Sequence, residues 1–145
     1  MASNSITRAA TASLGLLVAL CGGALWPVVS MLTSSDAPWM AFAPVLSALL
    51  ATAGLALGSA PLRALVAALY TGLGIAYGQY LMAAGAIAAG LGVPLRSALL
   101  DTGLELGFAL AWARNRGPAL AMMLGAIVLA ALLAARMGKP APAPR

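Results

Sequence analysis

Few side chains in this sequence can do chemistry, and they form two groups. The first is Tyr70, Tyr77, Gln79 and Tyr80, four hydrogen-bonding side chains in an otherwise apolar stretch. On a helix, Tyr70 and Tyr77 share a face with Gly74. Polar groups inside a membrane must find partners or line water. This cluster therefore either bonds neighbouring helices or lines a small polar cavity or pathway. The second group is Asp101 and Glu105, one helical turn apart and mutually repulsive when both are ionised. The pair reads as the exposed acidic face of a surface helix or, if proximity holds one acid protonated, as a proton-handling site.

Other chemistry is excluded. The sequence has no His, which removes His-ligated haem, most zinc chemistry and a Ser-His-Asp triad. The single Cys21 lies in an apolar run and reads as a small buried hydrophobe. No phosphate-binding loop or nucleophile elbow is present, so no catalytic, cofactor-binding or metal-ligating residue and no enzyme activity is expected. Residues 101–103 read Asp-Thr-Gly, which resembles the active-site string of retroviral-type aspartic proteases. In that family the string sits in a β-rich domain and two copies meet across a dimer. Here it lies in a helical pattern with no surrounding strands, and the match is a coincidence. Small multidrug exporters need an acid in the first span, and none is found there.

The elements that must position these groups follow from composition. Of 145 residues, 63% are hydrophobic and only 8% charged, against roughly half and a quarter in a soluble domain. The mean hydropathy of +1.00 reads as an integral membrane protein. The net charge of +5 is dispersed between apolar runs, where it sets topology and meets lipid headgroups rather than nucleic acid. A span needs about 20 apolar residues, so four spans nearly fill the chain, at about 9–32, 39–59, 62–92 and 118–135. The string from Val18 to Cys21 is similar to a lipoprotein signal. Leu20 is too large for the position before its Cys, and the apolar run continues to Leu32, so an uncleaved first span is expected. Pro27 and Pro44 are expected to bend their helices. The third run, 62–92, would be about 46 Å long as one helix.

Residues 95–113 hold both acids. As a span, each acid would cost about 2.5–3.5 kcal/mol against about −0.5 per Leu or Phe. As a helix, Leu95, Leu99, Leu106 and Leu110 separate from Ser97, Asp101, Thr102 and Glu105, while Phe108 and Trp112 fall on the acidic side. The segment reads as one short amphipathic interfacial helix between spans 3 and 4. The fold expected is thus all-α: a four-helix transmembrane bundle over 1–138, with a disordered, basic, Pro-rich tail at 139–145. In this arrangement Arg8, Arg63, Arg136, Lys139 and Arg145 face Arg96, Arg114 and Arg116 across the bilayer. Five against three places both termini in the cytoplasm.

Gly54-x-x-x-Gly58, Gly74-x-x-x-Gly78 and Gly103-x-x-x-Gly107 match the small-residue packing motif, serving either intramolecular helix packing or a homo-oligomer. The leading expectation is a non-catalytic accessory subunit or homo-oligomeric scaffold of a bacterial-type inner membrane, with the lipid bilayer and a larger membrane complex as partners. The alternative is a small oligomeric transporter or channel using the polar groups of span 3.

Overall fold

A chain this apolar has to satisfy its backbone within itself, and helices do so segment by segment. The computed structural model describes residues 2–35, 37–55 and 57–137, with side chains described from residue 10 onward. The side chain of Arg8, the turn residue Asp36 and the tail 139–145 lie outside the described residues. All regular elements described are helical: α1 (Ala2–Thr33), a 3-10 helix (Pro38–Phe42), α2 (Ala43–Gly54), α3 (Ala60–Leu91), α4 (Leu95–Asp101), α5 (Leu104–Arg114) and α6 (Pro118–Arg136).

Among the described residues, three helices are long and apolar enough to cross a membrane: α1 from Ala10 to Thr33, all of α3, and α6. Pro27 stands inside α1 without ending it. α3 starts at Ala60 with Pro61 in its first turn and stops at Gly92, whose φ of 66° glycine adopts without strain. The fourth apolar segment, Pro38–Gly54, is shorter. Pro44 sits in the first turn of α2, where the 3-10 helix gives way to α-helix. Leu55 and Leu57–Ser59, expected to finish that span, lie outside the helix. The helix closes as the Leu55 N–H and the Thr52 hydroxyl donate to Thr52 O and Leu49 O.

Contacts fix the direction of each helix. The Tyr70 hydroxyl donates to Ala12 O, Gly23 meets Gly74 and Gly78, and Ser30 reaches Met82, so α1 and α3 run the same way. α2 runs back between them, with Pro44 and Ser47 against Gly22, Ala51 against Gly15, and Gly54 near Thr11. α6 returns along α3: Gln79 shares a cavity with Pro118 and Ala119, and Arg63 Nε donates to Ala134 O. The glycines do the close work. A Cβ on Gly74 would lie 2.7 Å from Ala19 O, and one on Gly78 2.6 Å from Gly23 O. Of the three expected glycine motifs, Gly74-x-x-x-Gly78 therefore packs within the chain. Gly58 and Gly103 face open space.

The interfacial helix expected over 95–113 is two helices. The chain breaks at Thr102 (φ −77°, ψ 101°) and Gly103 (φ −59°, ψ 151°). Tyr80 on α3 holds the break open. Its hydroxyl lies 2.8 Å from Leu99 O and 3.0 Å from Thr102 O, which an unbroken helix would offer to the N–H groups of residues 103 and 106. The buried face also differs from the leucine stripe. Ala98, Gly107 and Ala111 are buried, while Leu95 and Leu106 of the stripe are exposed and Leu99 and Leu110 only half-buried, because only small residues allow α5 to come against the Tyr80 ring. Replacing Tyr80 by Phe should loosen this junction by about 1 kcal/mol. Faster amide exchange at residues 102–107, with α1 unchanged, is the measurement; unaltered exchange there would show that the hydroxyl does not hold the break.

Trp26, Met40, Val45, Ile75, Met82 and Met123 form the centre of the core. Outward faces carry exposed Leu14, Leu17, Leu65, Leu69, Leu73 and Leu132, an arrangement suited to lipid contact. Cys21, expected to be buried, is exposed on α1, because Gly22 and Gly23 rather than Cys21 occupy the contact side.

Candidate functional site

Gln79 is the most buried of the four expected polar residues of α3, at 6% exposure. A buried carboxamide needs partners, and Asn115 supplies one. Its Nδ2 donates to Gln79 Oε1 at 2.6 Å and to Ala111 O at 2.8 Å. The Asn115 backbone N–H also donates to Ala111 O, closing the C-terminal end of α5. One side chain thus ends a surface helix and ties it to α3. Asn115 is the residue of this site that the sequence analysis leaves out. The signal was present. Apart from Asn4, Gln79 and Asn115 are the only carboxamides in the chain.

The other three residues go elsewhere. Tyr70 bonds to Ala12 O in the N-terminal half of α1 at 2.9 Å, and Tyr80 bonds to the α4–α5 junction. Tyr77 is exposed, in line with the outward Leu65, Leu69 and Leu73. The structure therefore does not gather Tyr70, Tyr77, Gln79 and Tyr80 around one cavity. Thr71 is fully buried with its hydroxyl unpartnered among the described residues.

The acidic pair does not share a helix. Asp101 is the last residue of α4 and Glu105 lies in the first turn of α5, with the Thr102–Gly103 break between them. Both are exposed, and the one-turn spacing that would couple them is gone. A carboxylate in the first turn of α5 is favoured by the helix dipole. Among the described residues no three His, Cys, Asp or Glu side chains cluster.

Two adjoining cavities meet at the loop after α5. One, about 300 Å³, is lined by Trp26, Pro38, Gln79, Arg114, Asn115 and Arg116 among others. The other, about 400 Å³, lies between the C-terminal halves of α1 and α3 and also reaches Arg114. At the opposite end of the molecule, Arg63 donates to Leu57 O and Ala134 O, satisfying a carbonyl that the last turn of α6 leaves open.

The fold and this arrangement define a class: a helical protein whose three long apolar helices are compatible with a membrane protein. No protein-family model, curated protein or solved structure matches the chain.

Proposed function

We propose that this is a non-catalytic, multi-pass protein of a bacterial-type inner membrane, acting as an accessory subunit or homo-oligomeric scaffold. It crosses the bilayer four times, with both termini cytoplasmic. What carries the topology is the shared direction of α1 and α3. Two span-length helices that cross the same way need a return crossing between them, and Pro38–Gly54 is the segment available. Its five 3-10 and twelve α residues extend about 28 Å, close to the roughly 30 Å hydrocarbon core. α6 then returns the chain, leaving Arg63 and Arg136 at the cytoplasmic end and Arg114 and Arg116 at the other. In this reading α4 and α5 lie on the outer surface, with Leu104, Phe108 and Trp112 dipping into the interface.

What supports a structural role is the use made of the polar groups. Gln79, Tyr70 and Tyr80 each bond a different neighbouring element, as helix-packing groups do. A transporter or channel built on α3 would need them to line one conduit.

Two measurements test this. A reporter active only outside the cytoplasm, fused at Arg145, should stay silent, and Leu100→Cys in a Cys21→Ser background should react with an impermeant thiol reagent from outside. Native purification should then yield a homo-oligomer or a stoichiometric partner. Purified protein that conducts ions in liposomes without a partner, as an oligomer or a monomer, would overturn the scaffold reading, and an active Arg145 fusion would overturn the topology.

A further inference from the structure

We propose that the cleft between the C-terminal halves of α1 and α3 binds the phosphate headgroup of an anionic phospholipid. This rests on the membrane reading above, though not on the subunit or scaffold role. Ser30, Ser34 and Ser35 come from the end of α1 and the turn after it, and Arg114 comes from the end of α5; Gly85 and Ala86 help form the α3 wall of the same cavity of about 400 Å³. The Ser34 and Ser35 hydroxyls and the guanidinium are donors suited to phosphate oxygens, beside Ser30, whose hydroxyl reaches Met82 Sδ at 3.9 Å, and arginine matches a phosphate with two parallel N–H groups. The small residues of α3 leave room beside them, and Met31 and Met82 on the same walls can repack around an acyl chain.

Depth agrees with chemistry. The apolar run of α1 ends at Thr33 and α6 begins at Pro118, so the serines and Arg114 lie where two apolar helices stop. That is the level of headgroups in a bilayer. The turn is built to bring the serines there. Ser34 adopts φ 51°, a left-handed conformation uncommon outside glycine. The Ser35 N–H donates to Ser30 O at 3.2 Å, and the Ser35 and Thr33 hydroxyls are 3.1 Å apart. Charge favours an anion as well. Arg116 lines the adjoining cavity with Arg114, and the linker between α1 and α2 adds a single carboxylate, Asp36.

The occupant is a lipid rather than a free anion because lipid is the solvent at this depth and the cleft continues into apolar wall. The test uses the full chain purified in non-ionic detergent and native mass spectrometry. Phosphatidylglycerol should remain bound under conditions that strip phosphatidylcholine. Arg114→Gln should weaken retention about tenfold, the size expected for losing one charge-assisted group. Arg136→Gln, at the opposite end, should leave retention unchanged. Ala86→Phe narrows the cleft while keeping every charge, and should also weaken retention; its melting temperature, with that of Arg114→Gln, establishes that the fold survives. Equal retention in both cleft variants, or an equal loss in Arg136→Gln, overturns the proposal while leaving the membrane topology standing. Displacement of the lipid by millimolar inorganic phosphate, which then binds in its place, would assign the cleft to the free anion and overturn the lipid.

Discussion

Gly78→Ala should lower the stability of the protein by about 2–3 kcal/mol, the upper part of the range for overpacking a tight interface. The new Cβ would lie 2.6 Å from Gly23 O. A backbone carbonyl cannot rotate aside as a side chain can, so α1 and α3 must separate. Gly74→Ala should behave alike, since its Cβ would lie 2.7 Å from Ala19 O and 2.8 Å from the Pro44 ring. Gly125→Ala is the control. Gly125 lies within α6 and a Cβ there meets nothing within 4 Å, so alanine should add about 0.5–1 kcal/mol through helix propensity. Equilibrium unfolding in mixed detergent micelles measures all three. If Gly78→Ala is as benign as Gly125→Ala, the α1–α3 crossing is not the close packing described.

Gln79→Leu and Asn115→Leu should each destabilise the fold by about 1–2 kcal/mol, and the double variant by clearly less than their sum. The single variants leave a buried or half-buried carboxamide without its partner, whereas the double variant removes both. Interhelical hydrogen bonds in membranes average about 0.6 kcal/mol of coupling and reach about 1.7. The 2.6 Å contact and the 6% exposure of Gln79 put this pair toward the upper end. Asp101→Asn and Glu105→Gln alter exposed side chains and should stay within about 0.5 kcal/mol. A double-mutant cycle decides the matter. Additive losses would mean that the pair does not interact, and lost ion flux in Gln79→Leu with full stability would return Gln79 to a conduit.

Long helices were legible in the sequence because run length and composition are local properties. The stretches that became α1, α3 and α6 are apolar over enough residues that no neighbour needs to be known. The α4–α5 break was not legible, because its cause is Tyr80, far away in the chain. A tyrosine hydroxyl competing for two carbonyls leaves no trace in the periodicity of residues 95–113. The side of α5 that packs was not legible for a related reason. Leucine spacing identifies an apolar face, but in lipid that face need not be the buried one, and Gly107 with Ala111 gave the closer approach. Composition alone marks the polar residues of α3 as groups that need partners, and Tyr70, Gln79 and Tyr80 each bond one. Their headings were not legible, since Tyr77 and Tyr70 share a helical face yet only Tyr70 has the N-terminal half of α1 within reach. Gln79 and Asn115 were a readable pair, hidden by the two arginines on either side of Asn115.

The contact of Arg63 with Ala134 O joins residues 71 positions apart in the chain, and this has a bearing on biogenesis. At about 5–20 residues per second of synthesis, Arg63 leaves the ribosome roughly 4–14 s before its distant acceptor exists. During that interval only the nearby carbonyl of Leu57 is available to it. The bond to Ala134 therefore forms only after α6 has been synthesised. A chain that stops before α6 would leave this guanidinium with one of its two carbonyl partners missing.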